Sequence, residues 1–276
     1  MDFYSVMANH YDELFPLASA SVPYIISHMP AGTPPAEKKQ RESATCALPA
    51  LNEHDTDPPV LLDAGCAAGS LSIALAHLGY RVIGVDANED MIAKAREKSE
   101  EEELTHLTEF HAADILGISQ IAENLNAAGR LSGILCFGNT LPHLLSRKDR
   151  ISFLHQASRI LMPDGVILLQ ILNYDKILKD RPGYLPVIET ERFIFTRAYR
   201  YGNADGTINF SVRLRSKESG ESAGGNLTLR PVTRNMLKEE LAAAGFGKTE
   251  LYEDYARSPY DSSRSDMLLC AGHAGT

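Results

Sequence analysis

The chain has 276 residues, 44% hydrophobic and 23% charged, enough apolar material to bury the core of one large α/β domain. A net charge of −9, with no Lys/Arg run, argues against a nucleic-acid partner, because an acidic surface repels phosphate backbones. Four cysteines without a CxxC pair argue against a disulfide framework or a zinc site; with neither an apolar leader nor a run of about 18 apolar residues, a cytoplasmic protein without a membrane span is expected.

Residues 2–15 predict an amphipathic helix stopped by Pro16, on which Tyr4, Ala8 and Tyr11 share one face, and a second short helix is expected over 22–28. Residues 1–29 thus form a helical N-terminal unit. The stretch 30–59, with Pro34-Pro35 and Pro58-Pro59 and no apolar period, reads as a flexible surface insertion. From Val60 the chain alternates: strands over 60–62, 81–85, 107–112, 133–137 and 166–172, helices over 71–78, 88–99, 118–128 and 148–161. Asn88 is placed to cap its helix. Near-continuous apolar runs such as Val166-Ile167-Leu168-Leu169 are those of parallel strands buried on both faces. After Tyr184 three antiparallel strands are expected, over 191–201, 207–216 and 226–230. A helix over 233–244, capped by Thr233 and stopped by Gly245, and strands over 246–255 and 267–271 complete the chain. The expected architecture is one α/β domain, residues 60–183 and 231–276, with a small antiparallel β-insert over 184–230 after the fifth strand.

The sharpest signal is Leu62-Asp63-Ala64-Gly65-Cys66-Ala67-Ala68-Gly69, where a strand gives way to a helix. Gly65 and Gly69 permit a tight turn and let a ligand lie against bare backbone. A dinucleotide turn needs G-x-G-x-x-G; here Ala67 stands at the third position and the last glycine arrives one residue early, so the pyrophosphate site is not reproduced. An acid two residues before the first glycine suits a ligand with a cationic end. Asp86 closes the second strand 21 residues after Gly65, where a carboxylate accepts ribose hydroxyls; the alternative is a helix-start Asp.

Asp63-Ala64-Gly65-Cys66-Ala67-Ala68-Gly69 resembles the first motif, D-x-G-x-G-x-G, of class I S-adenosylmethionine-dependent methyltransferases, with Ala67 at the usual middle glycine. The resemblance continues through Val85-Asp86-Ala87, Met91, Ala112-Ala113-Asp114 and Cys136-Phe137-Gly138-Asn139-Thr140-Leu141-Pro142-His143, covering residues 2–15 and 60–272. It implies a Rossmann-like, doubly wound, mostly parallel seven-stranded sheet with helices on both faces. It also implies S-adenosylmethionine as cofactor and S-adenosylhomocysteine as product. Asp63, Ala64, Gly65, Cys66, Gly69, Asp86, Ala87, Met91, Ala113, Asp114, Ile115, Phe137, Gly138 and Asn139 are then expected at the cofactor. Asp114 would meet the adenine amino group, and Met91 and Ile115 would flank the ring. The N-terminal helix, with Tyr4 and Tyr11, is expected to be a lid over the sulfonium, whose charge tyrosine faces attract.

The loop 137–143 lacks the Asp/Asn-Pro-Pro-aromatic tetrad of enzymes that methylate a flipped base, and resembles small-molecule methyltransferases of the glycine and sarcosine N-methyltransferase type. A small-molecule acceptor is therefore implied. His143 is a candidate base or a structural hydrogen-bonder. Asn173 and Tyr174, read as the end of the fifth strand, are candidate acceptor contacts, Asn173 also as a catalytic group. In the insert Arg192, Arg197, Tyr199 and Arg213 alternate, and Arg197 is the candidate for an acceptor carboxylate. Methyl transfer asks mainly for reacting atoms held about 3 to 3.5 Å apart without water, and for no metal. Two other readings stand beside this one: an NAD(P)-dependent oxidoreductase, and a non-catalytic cofactor-binding regulatory protein.

Overall fold

The computed structural model of the chain describes residues 7–30 and 58–274; Tyr4 and nearly all of the predicted 30–59 insertion lie outside the described residues. The N-terminal helix is broken. A 3-10 turn, Ala8–His10, meets α1 (Tyr11–Leu14) at His10, whose φ of −129° leaves the helical region, and α2 (Ser21–Ile26) follows. The alternating region then runs β1 (Val60–Ala64), α3 (Ser70–Ala76), β2 (Arg81–Asp86), α4 (Glu89–Glu101), β3 (Thr108–Ala112), α5 (Ile118–Asn124), β4 (Leu131–Cys136), α6 (Arg147–Ile160) and β5 (Leu161–Leu172). After it come α7 (Tyr174–Asp180), β6 (Ile188–Glu189), β7 (Phe193–Arg200), β8 (Ile208–Ser216), β9 (Ser222–Leu229), α8 (Arg234–Ala243), β10 (Phe246–Tyr252) and β11 (Met267–Ala274).

Period-two alternation explains how the sheet is buried on both sides. Val60, Leu62 and Ala64 pack with α5, α6 and α8, whereas Leu61 packs with α2, α3 and α4. The seven-stranded sheet has the order β10-β11-β5-β4-β1-β2-β3. β1 to β5 pair in parallel, and β11 runs antiparallel to both β5 and β10. The doubly wound, mostly parallel sheet is the one expected. β6-β7-β8-β9 make a separate antiparallel sheet. Local signals also hold: Asn88 Oδ1 accepts from Met91 N at 2.9 Å, Thr233 Oγ1 from Met236 N at 3.4 Å, and Gly245 leaves α8 at φ +97°.

Besides the broken N-terminal helix and a fourth insert strand, β6, three details differ from expectation. β5 starts at Leu161, with Met162–Gly165 bulging between the Leu131–Leu161 and Gly133–Val166 pairs and Asp164 at φ +65°. β9 starts at Ser222 rather than Asn226; glycine is required there because a Cβ on Gly224 would lie 2.5 Å from Val212 O. Tyr174 does not end a strand. It opens α7, capped by Asn173 and closed by Arg181 at φ +47°. Behind the sheet, Arg150 of α6 forms a bidentate pair with Glu240 of α8, at 2.9 and 2.7 Å, both side chains 1% exposed. Its Nη1 donates to Leu144 O and Leu145 O, pinning the loop that follows β4.

Candidate active site

Parallel strands deliver their loops to one edge, and here the loops after β1, β2, β3 and β4 converge. Gly65 sits at φ +82°, and a Cβ on it would fall within 2.4 to 2.9 Å of the Thr140 side chain, so glycine is required twice over. The N–H groups of Gly65 and Cys66 both donate to Val85 O, at 2.7 and 3.1 Å, tying the turn to β2. Ala67 takes φ +46°, a left-handed conformation that its Cβ disfavours, and its N–H donates to Asp86 Oδ2 at 3.0 Å. Asp86 Oδ1 accepts from Asn88 N at 2.9 Å.

Alternation along β1 turns Asp63 toward α3, where its Oδ2 accepts from Ser72 Oγ at 2.7 Å. It is 2% exposed, and burial, aided by the nearby Asp86 charge, pushes its carboxyl up to about 6. Burial raises the Asp86 carboxyl as well. Both groups are held in a state that a bound cation or hydroxyl donors would relieve.

Two cavities meet at this edge. The larger, about 340 Å³, is lined by Asp86, Ala87, Asn88, Met91, Asp114, Ile115, Thr140, His143 and Leu144. The smaller, about 210 Å³, is lined by Asp63, Cys66, Ser70, Leu71, Phe137, Gln170 and Tyr255 among others. Tyr11, Gly65, Ala67 and Gly138 line both. The N-terminal segment covers this junction and is fastened on two sides. Asp12 accepts from Ser70 Oγ at 2.6 Å and pairs with Lys98, which also donates to Ala68 O at 2.8 Å. Glu13 pairs with Arg192 of the insert, His10 packs at a tilt against Phe193 with ring centroids 4.4 Å apart, and Phe15 meets Phe195 edge-on at 5.7 Å.

Most of the residues expected at a cofactor come together around the two cavities, but Ala64, Gly69, Ala113 and Asn139 line neither. The first three shape the frame: Ala64 is buried in β1, Gly69 begins α3 at φ +79°, and Ala113 N donates to Asp86 O at 2.9 Å. Asn139, at φ +65°, is spent on the chain, its Nδ2 donating to Tyr174 Oη at 3.0 Å and its Oδ1 accepting from Leu172 N at 3.1 Å. Asn173 is also corrected. It is buried, its Nδ2 donates to Ser262 O and Ser265 O at 3.1 and 2.8 Å, and its Oδ1 accepts from Lys176 N and Tyr260 Oη. No polar atom of it is left for an acceptor or for catalysis. Tyr174 is buried beneath the insert with its hydroxyl bonded to Asn139, so it too is structural.

His143, exposed at the rim, lines the larger cavity beside Asp86 and Asp114 and not the smaller one; partial desolvation of the ring lowers its imidazole pKa and favours the neutral form. Asp114 is exposed at the rim, its Oδ1 accepting from Leu116 N at 2.9 Å. Arg197 is half-buried on the face of β7 that carries buried Phe195 and Tyr199. Its Nη2 donates to Pro186 O at 2.8 Å, and its Nε is buried without a partner among the described residues. Arg213 points outward, flanked by buried Val212 and Leu214. Sequence reasoning passed over Gln170 and Tyr255; the available signal for Gln170 was an amide inside an otherwise apolar strand. The described residues contain no group of three metal-ligating side chains and no helix long and apolar enough to cross a membrane.

Residues 61–165 match a family model described as a methyltransferase domain. The glycine/sarcosine N-methyltransferase of Halorhodospira halochloris is 26% identical over 213 residues, covering 76% of this chain and 73% of that protein. The glycine/sarcosine/dimethylglycine N-methyltransferase of Actinopolyspora halophila is 30% identical over 219 residues, and there the match spans only 35% of the longer relative. Among solved structures, the CcbJ methyltransferase from Streptomyces caelestis shares the fold with a TM-score of 0.71, over 99% of this chain and 98% of its own, at 21% identity.

Proposed function

The chain belongs to the class I S-adenosylmethionine-dependent methyltransferases, and we propose that it carries a methyl group from that cofactor to a small-molecule amine. The observation that carries this reading is the meeting of two cavities at Tyr11, Gly65, Ala67 and Gly138. The larger presents Asp86 to ribose hydroxyls and Asp114 to an adenine amino group, between Met91 and Ile115. The smaller presents Asp63, whose raised carboxyl suits an ammonium. A ligand spanning both would lay its sulfonium at the shared residues, beneath the Tyr11 ring. The cofactor supplies an already activated methyl group; the protein's work is to orient the acceptor and exclude water, which the fastened N-terminal segment is suited to do. His143, on the adenosine side, is assigned to the cofactor rather than to proton transfer.

The relatives' N-methyltransferase activities favour a nitrogen acceptor; Arg197, expected at an acceptor carboxylate, lines neither cavity and is not assigned to it. The oxidoreductase reading gains no support from these relatives. Calorimetric titration with S-adenosylmethionine and S-adenosylhomocysteine, followed by transfer of labelled methyl into a library of small amines, tests the proposal. Binding that Asp86→Ala weakens markedly is expected; absence of any binding would reject it.

A further inference from the structure

We infer that Gln170 is a cofactor-tail residue: its side-chain amide donates a hydrogen bond to the carboxylate of the cofactor's methionine end. This rests on the function proposed above. Alternation along β5 sends Ile167, Leu169 and Ile171 into the layer of α5, α6 and α8, and Val166 and Leu168 into the other. Gln170 therefore points to the same side of the sheet as Asp63, and both line the smaller cavity. A polar side chain in such a strand is unfavourable unless its groups are bonded. One is: Gln170 Oε1 accepts from Gly138 N at 2.8 Å, while the Gln170 carbonyl accepts from Asn139 N at 3.2 Å.

That first bond orients the amide, because a backbone N–H only donates and must face the oxygen. The NH2 group is turned away from it and bonds to no described residue. The two serine hydroxyls lining the cavity are occupied, Ser21 Oγ donating to Ala18 O at 2.7 Å and Ser70 Oγ to Asp12 at 2.6 Å. No Lys or Arg is among the described residues lining the cavity. The span is compatible. Asp63 aligns through Leu135 with Leu168, so Gln170 stands two strands across and two residues along, about 12 Å from it backbone to backbone, and an α-amino acid group with a hydrogen bond at each end covers about 8 Å. An ammonium at Asp63 thus brings its carboxylate within reach of the long Gln170 side chain. Because the same residue holds Gly138 and Asn139, tail binding also bears on the loop that follows β4.

Gln170→Glu tests this, since it keeps the oxygen that Gly138 requires and replaces only the donor. Wild type, Gln170→Glu and Gln170→Leu are titrated with S-adenosylhomocysteine, with its decarboxylated analogue S-adenosyl-3-thiopropylamine, and with 5′-methylthioadenosine, which has no amino-acid tail. Both variants should lose about ten-fold or more in affinity for S-adenosylhomocysteine and keep their affinity for 5′-methylthioadenosine within about two-fold. Gln170→Glu should bind the decarboxylated amine at least as well as wild type does. Equal loss for all three ligands, or no loss for S-adenosylhomocysteine, would overturn the assignment while leaving the proposed function standing. A wild-type protein that binds none of the three would overturn both.

Discussion

Replacing Asp63 by Asn should make the ligand-free protein more stable and the cofactor-bound protein less so. The carboxylate is 2% exposed, receives one hydrogen bond from Ser72 and feels the charge of Asp86. Its folded-state pKa of about 6 lies about two units above the ordinary 3.8, which corresponds to about 3 kcal/mol disfavouring the charged form in the folded chain. A carboxyl raised on folding binds its proton more tightly in the native state. Its destabilising effect is therefore fully present above about pH 6, shrinks as the pH falls toward 3.8, and is gone below that. The neutral amide of Asp63→Asn removes it at neutral pH, and allowing for imperfect hydrogen bonding of the new NH2, a gain of about 1 to 3 kcal/mol, or several degrees in Tm, is expected. A bound ammonium restores the reason for a charge there. Wild-type affinity for S-adenosylhomocysteine should hence fall as the pH drops through 6, and the variant should lose both the affinity and its pH dependence. Thermal melts from pH 5 to 8, with and without S-adenosylhomocysteine, read both effects. A lower ligand-free Tm together with an unchanged ligand-induced shift would show that Asp63 is a structural acid, and the tail assignment would fail with it.

Ala67→Gly should relieve the strained φ of +46° and raise stability by about 0.5 to 1 kcal/mol, net of the added freedom of the unfolded chain, as read in urea titration. Glu240→Ala leaves the Arg150 guanidinium buried and unpaired and should cost about 3 to 5 kcal/mol; a change below 1 kcal/mol would mean the pair is not the clamp between α6 and α8 described above. Arg192→Glu sets a carboxylate against Glu13 at the edge of the N-terminal cover and should speed S-adenosylhomocysteine release about two- to five-fold in stopped flow, less at high salt. Leu214→Ala, in the insert and away from both cavities, should still weaken S-adenosylhomocysteine binding; unchanged affinity with lowered stability would uncouple the insert from the cofactor site.

The α/β alternation was legible because parallel strands buried on both faces are written as unbroken apolar runs, and the caps at Asn88 and Thr233 were legible because an N-cap is a local event. Asn139 and Asn173 show where legibility stops. Both stand at the functional edge of the sheet, as their positions in the chain suggest. Whether an amide faces a ligand or the chain depends on distant partners, though: Tyr174 for Asn139, and Ser262 and Ser265, about ninety residues on, for Asn173. Helix α7 was missed because seven residues are too few to establish a period against the strand that precedes them. Gln170 carried a signal that a stricter reading would have used, since an amide in a buried strand needs a reason.

The shared core of the N-terminal segment, the turn and the insert explains why the four-residue helix α1 persists. Segments as short as α1 do not hold helical structure alone, since nucleation outweighs what four residues return. Met7, Ala8 and Leu14 instead pack in one cluster with Ala68 of the glycine turn, Met91 of α4, and Phe195, Val212 and Leu214 of the insert. Met91 is at once part of this cluster and a wall of the larger cavity. The N-terminal segment therefore cannot leave without exposing the apolar faces of both the insert and the cofactor wall. Conversely, a ligand that packs against Met91 and Tyr11 steadies the surface on which that segment rests. On the function proposed above, cofactor binding and the N-terminal cover thus draw on the same contacts, although the residues involved lie in three separate stretches of the chain.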